Sequence, residues 1–502
     1  MTLPPGHRAI DTKMVLKIKE PEFLGAEGRY KARLCPKGFQ QTYLMNYFET
    51  FAPVATYNSL RLFLTIMASM DYEIDVIDVI TAFLLSTLEE EVYIKIPPGY
   101  PKEHKEGQVL RLLKGLYGLK QGPHTWNNEL DSFLKSIEFE PTISDPCLYY
   151  RKSDAAFMIV WVDDIILATP SSSSMAKLKH EINSKFPCHN KGPISIYLNL
   201  LITRNRKERV IYISQPTKID NVLNDDQLSP DDAETISRPS KIPAVATTML
   251  TKEMEPKTLE EAKVMKTKPY RSILGQLIHI CITARPDIST AVSCCGKYAQ
   301  NPGTAHWDAL LLILRYLKGT KLLRLRLGGI FNSMTLSAQI DDKHNLKLSA
   351  ACDSDWAGDI DDRRSRSGYC VFLNDSLIQW SSKLQKSVAL SSTEAEYICL
   401  SSGTATVLWY RSILEELGFQ QKQATIISQD NQSAIRIAES KKQAPGVKHI
   451  SIRYHFIRDK IASKEIQLKA ISTSEMVADL FTKNLSFPRF QTLRSNLGMA
   501  TT

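Results

Sequence analysis

Two adjacent aspartates interrupt an otherwise apolar stretch of the chain. Asp163 and Asp164 lie in the segment FMIVWVDDIILA, residues 157–168, between two apolar runs that have the length of buried strands. Apolar arms around a short polar interruption predict a β-hairpin with both acids at or beside its turn. Aspartate also favours turns through local hydrogen bonds, so the pair could serve the turn alone. The choice between a turn and a chemical site depends on acids elsewhere in the chain.

A third aspartate ends another predicted strand. The segment DYEIDVIDVITAF places Asp78 at a strand end, although Asp78, like Asp75, could be a solvated residue there. Carboxylates on a strand end and on a hairpin turn can converge at one edge of a sheet. Like charges about 4 Å apart repel by several kcal/mol at an effective dielectric near 20, so the cluster needs a cation or a proton. Mg²⁺ fits because it binds carboxylates together with phosphate oxygens, and two such ions support in-line phosphoryl displacement.

A second set of acids lies in the last third of the chain. These acids are Asp353 in ACDSDWAG, Glu396 in SSTEAEY, Asp430 in SQDNQSA and Asp479 in MVADLFTK. The pattern predicts Asp353 within a strand, Glu396 near the start of a long helix, Asp430 at a strand end and Asp479 in the last helix. We expect the strand order to bring all four to one edge of a sheet.

The composition is that of a globular protein with a basic surplus. The chain has 502 residues, 43% hydrophobic and 23% charged, which suggests about three domains. Its formal net charge of +9 suits a polyanionic partner without identifying one. Nine cysteines show no CxxC pair or metal spacing, so we expect reduced core residues. Because the chain has no signal-peptide core or bilayer-length apolar segment, we expect a soluble intracellular protein that does not contact membrane.

Shifts in composition divide the chain into three blocks, and the predicted strands and helices of the first and third blocks carry these acids. The first, through residue 240, mixes short β-rich runs with helices, including an amphipathic helix within residues 170–186. Residues 229–263 are polar and charged and are predicted to be a linker. The second block is mostly helical, with helical apolar spacing in YRSILGQLIHICITA and HWDALLLILRYLKGT. The third begins near Lys347 with three strands, a long helix and then alternating strands and helices, which predicts a mixed sheet covered by helices.

Several segments together resemble the reverse transcriptase of copia-type LTR retrotransposons. They are RYKARLCPKGFQQ, NYFETFAPV, DVITAFLLSTLEEEVYIKIPPGY, LLKGLYGLKQGPHTW, VDDIILA, YRSILGQL, TARPDI and LRYLKGT, in the order and at the spacing of that family. The segments DSDWAGDIDDRRSRSGY, WSSKLQKSVALSSTEAEY and KHISIRYHFIRDK resemble the ribonuclease H domain of the same family. The resemblance extends to about residue 487. It implies a mixed α+β architecture with a palm-and-fingers polymerase domain, a helical connection and an α/β ribonuclease H-like domain.

The resemblance also implies domain boundaries and catalytic residues. The implied domains are a reverse transcriptase at residues 1–240, comprising fingers, palm and the start of the thumb, a thumb or connection at 241–345, a ribonuclease H-like domain at 346–487 and a C-terminal tail at 488–502. Within ambiguous motifs the resemblance favours Asp353 over Asp355 and Glu396 over Glu394. The implied catalytic residues and ligands of Mg²⁺, with Mn²⁺ as a substitute, are Asp78, Asp163, Asp164, Asp353, Glu396, Asp430 and Asp479.

Further residues match positions that bind substrate in the family. Phe83 matches the aromatic residue that excludes a ribose 2′-hydroxyl, and could otherwise be a core phenylalanine. The loop YGLKQGP matches the support of the incoming nucleotide, and YKARL matches a finger strand that meets the triphosphate, although such residues are also common on solvated strand faces. Basic residues near residue 450 match a contact with the phosphates of an RNA–DNA hybrid, with a solvated surface as the alternative. Besides Phe83, the implied substrate-binding residues are Lys31, Arg33, Tyr117, Gly118, Lys120, Gln121, Lys448, His449 and Arg453.

The implied function is an RNA-directed DNA polymerase with ribonuclease H activity. Its partners would be an RNA template, a DNA primer or RNA–DNA hybrid and deoxynucleoside triphosphates, in cytoplasmic virus-like particles, in the nucleus or in both. Some positions depart from the family pattern: Trp161 replaces a tyrosine, Leu85 and Ser86 replace Asn-Gly, and Asn199 replaces a glycine. These departures, and a start just inside the expected domain, leave an alternative: a truncated, catalytically impaired relic that only binds nucleic acid.

Overall fold

The chain forms two compact units in the computed structural model. The structure describes residues 1–19, 29–101, 103–329, 346–440 and 451–501. The first unit comprises Met1–Ala55 and Glu73–Pro193, and the second comprises Thr56–Tyr72 and Ile194–Thr502. The mixed α/β composition agrees with the expected fold class. The functional division at residues 240 and 345 stays a prediction.

The described part of the chain contains both strands and helices. The strands are β1 (Thr12–Lys19), β2 (Arg29–Pro36), β3 (Glu73–Val79), β4 (Tyr93–Lys95), β5 (Val109–Arg111), β6 (Glu140–Pro141), β7 (Leu148–Arg151), β8 (Ala156–Trp161), β9 (Asp164–Thr169), β10 (Cys188–Pro193), β11 (Ile196–Tyr197), β12 (Leu200–Asn205), β13 (Val210–Ser214), β14 (Arg324–Gly328), β15 (Leu348–Asp355), β16 (Arg366–Leu373), β17 (Ser376–Leu384), β18 (Thr425–Gln429), β19 (Ile466–Ala470) and β20 (Met499–Ala500). The α-helices are α1 (Tyr57–Ser69), α2 (Gly122–Ser136), α3 (Ser172–Lys185), α4 (Pro216–Leu223), α5 (Pro230–Ser237), α6 (Leu259–Lys266), α7 (Tyr270–Thr283), α8 (Ser289–Gly296), α9 (Thr304–Gly319), α10 (Ser392–Glu416), α11 (Gln432–Glu439), α12 (Ser451–Ala462) and α13 (Phe487–Asn496).

The first unit is built on a six-stranded antiparallel sheet in the order β10-β3-β9-β8-β7-β6. Helices α2 and α3 contribute Trp126, Leu134 and Leu178 to a buried cluster that also contains Ile77 and Leu167 of the sheet. This packing stabilises the central strands, whose apolar runs the sequence predicts as a hairpin. The hairpin β8–β9 and the helix predicted within residues 170–186 are both confirmed.

The second unit contains the mixed sheet predicted for the last third of the chain. Its order is β17-β16-β15-β18-β19, with β15, β16 and β17 antiparallel and with β18 and β19 parallel to β15. Helix α10 begins after Ser391, whose side chain accepts a hydrogen bond from the Glu394 amide, and it packs on β15. Gly403 permits this approach, because a Cβ there would collide with the Cys352 sulfur. The helix thereby carries its first turns over the centre of the sheet.

A second five-stranded sheet and a helical layer complete this unit. The sheet order is β11-β12-β13-β14-β20. Helix α1 comes from the first part of the chain but packs in this unit through Arg61, which is only 2% exposed. Its guanidinium donates to the carbonyls of Ile378 and Thr283, each at 2.8 Å, and lies 4.1 Å from the Trp380 ring centroid. No helix in the described ranges has both the length and the apolarity needed to cross a bilayer.

The prediction of a polar linker at residues 229–263 is wrong. Helix α5 forms within it and helix α6 begins within it. Each helix begins with a capping box, in which a hydroxyl residue and an acid three positions later satisfy each other's backbone amides. The pairs are Ser229 with Asp232 and Thr258 with Glu261. These short-range signals can start a helix despite the polar composition.

Two expectations for the C-terminal region are also wrong. Residues 488–502 were expected to be a tail, but helix α13 and strand β20 form there, and β20 pairs with β14. Buried Phe490 and Leu493 explain the order, since Phe490 packs 5.6 Å from Tyr316 between ring centroids. Asp479 lies in a 3₁₀ helix, Val477–Phe481, rather than in the last helix. This short helix ends before α13 begins.

Two candidate carboxylate sites

Three acidic residues meet where the adjacent strands β3 and β9 of the six-stranded sheet have their Asp78 and Asp164 ends. Asp78 on β3 is the direct register partner of Asp164 on β9. Trp161 pairs with Asp164 across the hairpin, so the turn consists of Val162 and Asp163. The strand pairing therefore brings together three acids that the sequence separates by 86 positions at most.

The turn that carries Asp163 has an unusual backbone conformation. Val162 has a φ of 58°, which is rare for a β-branched residue. The Trp126 indole donates to the Val162 carbonyl at 2.8 Å, and the Val79 amide donates to the Asp163 carbonyl at 2.8 Å. These bonds hold the turn from both sides. Such strain, about 1–3 kcal/mol, persists only where the surroundings impose it.

Two of these three carboxylates, those of Asp78 and Asp164, are paired with a lysine that the sequence analysis missed. Burial, with repulsion from Asp164 and Asp78, raises the pKa of Asp163. Lys191 Nζ lies 2.7 Å from Asp164 Oδ1 and 3.2 Å from Asp78 Oδ1. Lys191 occupies a register shift in β10, just before Gly192. A glycine inside a strand can signal such a bulge, and the bulge directs this lysine to the acids.

Two predicted substrate-binding aromatics lie together in the first unit. The rings of Phe83 and Tyr117 meet edge to face with centroids 4.6 Å apart. The guanidinium of Arg33 lies 5.0 Å from the Tyr117 ring centroid. Lys31 lies two residues before Arg33 on β2, so the two side chains project from the same side of that strand. The structure thus groups Phe83, Tyr117 and Arg33, and their contact with a nucleotide stays a prediction.

The loop after Tyr117 is packed closely against the protein. Gly118 has a φ of 114°, and a Cβ there would lie 2.5 Å from the Pro36 carbonyl oxygen, so this position requires glycine. Lys120 Nζ donates to the Gln41 carbonyl at 3.3 Å. Gln121 is fully buried, and its side-chain oxygen accepts a hydrogen bond from the side-chain amide of Gln41 at 2.9 Å. Internal partners occupy both side chains, and a role for them in nucleotide binding stays a prediction.

A second group of carboxylates forms in the mixed sheet. Asp353 on β15, Glu396 on α10 and Asp430 just after β18 each offer an oxygen atom, and these atoms lie within 4.8 Å of one another. Asp353 is 2% exposed and Glu396 is 5% exposed. Asp355 and Glu394, the alternatives within the two motifs, are not in this group, and the choice of ligand within each motif stays a prediction. Among the described residues, this group alone has the spacing of a metal site.

The electrostatics of this group favour a divalent cation. Burial, with repulsion from Asp479 and Asp430, raises the pKa of Asp353. Burial, with repulsion from Asp353 and Asp430, raises the pKa of Glu396. The Gln429 amide donates to Glu396 at 3.3 Å, and the Thr473 hydroxyl donates to Asp430 at 2.9 Å. Oxygen ligands from carboxylates are those that Mg²⁺ prefers, so the residues present fit this ion.

Asp479 has different partners from the other three predicted ligands. Its oxygens lie 2.8 Å from Lys483 Nζ and 2.9 Å from Arg489 Nη2. Lys483 Nζ also lies 3.7 Å from Asp353 Oδ2, and the Thr482 hydroxyl donates to that oxygen. The structure therefore places Asp479 beside Asp353, with two cations around it, and outside the three-oxygen group. Sequence reasoning missed both Lys483 and Arg489.

The predicted contacts near residue 450 fall partly outside the described residues. Arg453 lies on α12 with an exposed side chain. Lys448 and His449 are not among the described residues. The role of these three residues in binding a hybrid stays a prediction.

The chain is similar to a described sequence family, to two transposon proteins and, distantly, to a solved structure. Residues 1–241 match the sequence family described as "Reverse transcriptase (RNA-dependent DNA polymerase)". The chain is 37% identical over 500 residues to the "Retrovirus-related Pol polyprotein from transposon TNT 1-94" of Nicotiana tabacum, covering 99% of this chain and 36% of that protein. It is 32% identical over 327 residues to a putative transposon Ty5-1 protein of Saccharomyces cerevisiae, covering 64% of this chain and 98% of that protein. A foamy viral protease–reverse transcriptase solved with double-stranded DNA has a TM-score of 0.46 at 12% identity, covering 92% of this chain and 67% of that one.

The match over residues 1–241 places the chain in the reverse transcriptase class. The chain belongs to the Pol polyprotein family of copia-type LTR retrotransposons. It spans about a third of the length of the Pol polyproteins that it matches.

Proposed function

We propose that this chain copies RNA into DNA and degrades the RNA strand of the resulting hybrid. The observation that supports the proposal is the presence of two separate carboxylate groups, one in each compact unit. Each group combines acids from distant parts of the chain. The first lies at the ends of β3 and β9, and the second lies at the mixed sheet. A single acidic group would favour one of the two activities alone.

In DNA synthesis, Asp78, Asp163 and Asp164 would bind the divalent ions that accompany the triphosphate. When bound, Mg²⁺ supplies positive charge to the attacking 3′-hydroxyl and to the departing pyrophosphate. The residues of the chain position the reactants: the strained turn holds Asp163 toward the site, and Lys191 must leave the carboxylates before a substrate ion enters. Phe83 and Tyr117 would form the floor under the sugar.

In hybrid cleavage, Asp353, Glu396 and Asp430 would bind Mg²⁺ or Mn²⁺ at the mixed sheet. Asp353 and Glu396 are buried, so the surrounding protein would hold these two carboxylates in place without substrate. The substrates that follow from this proposal are an RNA template with a DNA primer, deoxynucleoside triphosphates and the RNA–DNA hybrid. Lys31, Arg33, Lys120 and the basic residues near α12 would contact phosphate groups, which predicts salt-sensitive binding without base preference.

A paired assay tests both activities on the purified chain. With Mg²⁺, a primed RNA template and deoxynucleoside triphosphates, we expect primer extension that Asp163→Asn abolishes and that the exposed control Asp226→Asn leaves intact. With a labelled hybrid, we expect cleavage that Glu396→Gln abolishes and Asp163→Asn retains. Equal primer extension by the parent and Asp163→Asn, at matched purity and circular dichroism, contradicts the polymerase assignment.

Hybrid cleavage without synthesis is the second candidate function. It is favoured because the oxygens of Asp353, Glu396 and Asp430 already have metal-site spacing, whereas Lys191 occupies the carboxylates of the other site in the described structure. The same assay separates the candidates, since this one predicts hybrid cleavage with no detectable extension at any Mg²⁺ concentration.

A further inference from the structure

An apolar patch lies on the surface of the second unit, next to the carboxylate group of the mixed sheet. Its members are Trp356, 49% exposed, Val388, 49% exposed, and Leu390, 75% exposed. They belong to two segments that touch, because the Trp356 indole donates to the Ala389 carbonyl at 3.1 Å. Single exposed apolar residues are ordinary, whereas a contiguous patch that contains an indole held in place is typical of a contact surface.

Both segments of the patch lead directly into the carboxylate group. Trp356 comes three residues after Asp353, so their Cα atoms are at most about 11 Å apart. On the other segment, the Leu390 amide donates to the Glu394 carboxylate at 2.8 Å, two residues before Glu396 on α10. A nucleic acid duplex bound at Asp353 and Glu396 would extend over neighbouring surface at this distance.

Contacts within the protein hold the segment at residues 385–390 in place. The buried Gln385 side chain donates to the Ala395 carbonyl and to the Ser367 hydroxyl, each at 2.9 Å, which ties the segment to α10 and to β16. Further along, Ala389 packs with Ala395 and Ile398 in a buried cluster. A surface fixed in this way loses little conformational entropy when a partner binds.

Positive charge surrounds the patch. Four exposed cations lie on the two segments or next to them: Lys383, Lys386, Arg363 and Arg364. Within the described part of the chain, none of these four side chains forms an ion pair. The acids of the same loop are already occupied, since Asp359 and Asp361 both pair with Lys297. Apolar atoms flanked by unpaired cations fit a polyanion whose phosphates border apolar sugar edges.

The shape of the duplex decides which nucleic acid fits this patch. An A-form minor groove is wide and shallow and exposes the edges of its sugars, whereas the B-form minor groove is about 6 Å wide. A heteroduplex of RNA and DNA has A-form geometry. Its groove admits an indole that lies flat against the sugars while lysines and arginines on either side reach the phosphates. The narrower groove of B-form DNA does not.

We propose that Trp356, Val388 and Leu390 contact the minor groove of an RNA–DNA hybrid and hold it against the carboxylates of the mixed sheet. This inference rests on the proposed ribonuclease H function and adds to it the surface that selects a hybrid over B-form DNA. Trp356 is the central contact, and the surrounding cations bind the phosphates that border the groove. The patch binds substrate and takes no part in the chemical step.

Photocross-linking tests whether a hybrid lies on the patch. The full chain carries p-benzoylphenylalanine in place of Val388, together with Glu396→Gln to prevent cleavage, and is mixed with a labelled RNA–DNA hybrid and Mg²⁺. We expect a cross-link to the hybrid, with a yield about five-fold lower for a DNA duplex of the same sequence. The matched control has p-benzoylphenylalanine at exposed Leu259 of α6 and should give only background. No cross-link at Val388, or an equal yield with the DNA duplex, overturns the proposal.

Hybrid cleavage provides the second readout. Because the exposed half of the indole would be buried against the hybrid, we expect Trp356→Ala to lower kcat/KM about 10–100-fold. Trp356→Phe should keep most of the activity, since a flat apolar ring remains. Leu390→Ser should lower kcat/KM about 3–10-fold, and its fold is not at risk because the side chain is mostly exposed. The exposed control Leu259→Ser should cleave like the parent.

The outcomes separate this inference from the proposed function. If Trp356→Ala and Leu390→Ser both cleave like the parent while Glu396→Gln is inactive, the inference fails, the patch serves another partner and the proposed function stands. If Glu396→Gln cleaves like the parent, the proposed function itself fails. Should circular dichroism show that Trp356→Ala does not fold, Leu390→Ser and the cross-link at Val388 decide.

Discussion

Replacement of Asp287 by asparagine should strongly destabilise the helical layer of the second unit. Asp287 forms a two-bonded ion pair with Arg285, at 2.9 Å and 2.7 Å, and neither side chain is more than 1% exposed. Its second oxygen also accepts a hydrogen bond from the Tyr316 hydroxyl at 2.5 Å. Asp287→Asn keeps the shape of the side chain but removes the negative charge.

The expected cost follows from what remains buried. In the variant, the Arg285 guanidinium keeps its charge without a counter-ion, and an amide NH₂ faces either this donor or the Tyr316 hydroxyl. Breaking a buried pair from one side costs about 3–5 kcal/mol. Since each 1.4 kcal/mol is a factor of ten, an opening equilibrium that breaks the pair should become about two to four powers of ten more favourable.

Hydrogen exchange of the α9 amides measures this opening locally. A local measurement is needed because a chain with two compact units need not unfold in a single transition. Glu234→Gln is the control, because its pair with Arg238 is more than 70% exposed on both sides and should contribute less than about 1 kcal/mol. The double variant Arg285→Met with Asp287→Leu should recover most of the loss, since no charge is left unpaired. Exchange in Asp287→Asn within three-fold of the parent, or a double variant as unstable as the single, refutes the reasoning.

Other perturbations have equally defined outcomes. Burial alone would raise the pKa of Asp287, but Arg285 holds it below its ordinary value. The stability difference between the parent and Asp287→Asn should therefore be constant above about pH 4 and shrink as the pH falls further. Hydrogen exchange at pH 3 and pH 7 measures this difference. Gly118→Ala meets both a left-handed φ and the Pro36 carbonyl and should lower the melting temperature of the first unit; an unchanged value contradicts the close packing. Trp126→Phe removes the bond to the Val162 carbonyl and should slow primer extension with little change in protein yield; parental kinetics would show that the turn does not need it. Lys191→Met removes a half-exposed competitor worth up to about 1 kcal/mol and should lower the Mg²⁺ concentration for half-maximal extension by up to about five-fold, whereas an increase would mean that Lys191 assists the ion.

Elements with strong apolar patterns could be predicted from the sequence alone. The hairpin of β8 and β9 and the helices α7 and α9 follow from local spacing of apolar residues, and the structure has them. The strand order predicted that Asp353, Glu396, Asp430 and Asp479 would come together; the oxygens of the first three do, and Asp479 lies outside that group. Local apolar spacing and strand order are enough to predict an element where its side chains alternate between a buried core and solvent.

The cations of both sites could not be predicted in the same way. The chain has 63 lysines and arginines, and nothing local separates Lys191 or Lys483 from the rest. Their positions come from a strand bulge and from a 3₁₀ helix that lies on the sheet, and both depend on tertiary packing. The helix starts at Ser229 and Thr258 are a different case, because their capping boxes are visible in the sequence and were outweighed by the polar composition.

The assignment of α1 to the second unit has a consequence for synthesis and for fragment design. Arg61 bonds to Ile378, a residue 317 positions later. At about 5–20 residues per second, a ribosome would need roughly 15–60 s to deliver that partner after α1 emerges. Until then the helix must stay apolar and exposed, or be sheltered by a chaperone. A recombinant fragment that starts at residue 194 would lack α1 altogether. Expression of the second unit should therefore require residues 56–72 to be supplied, for example as a grafted N-terminal extension.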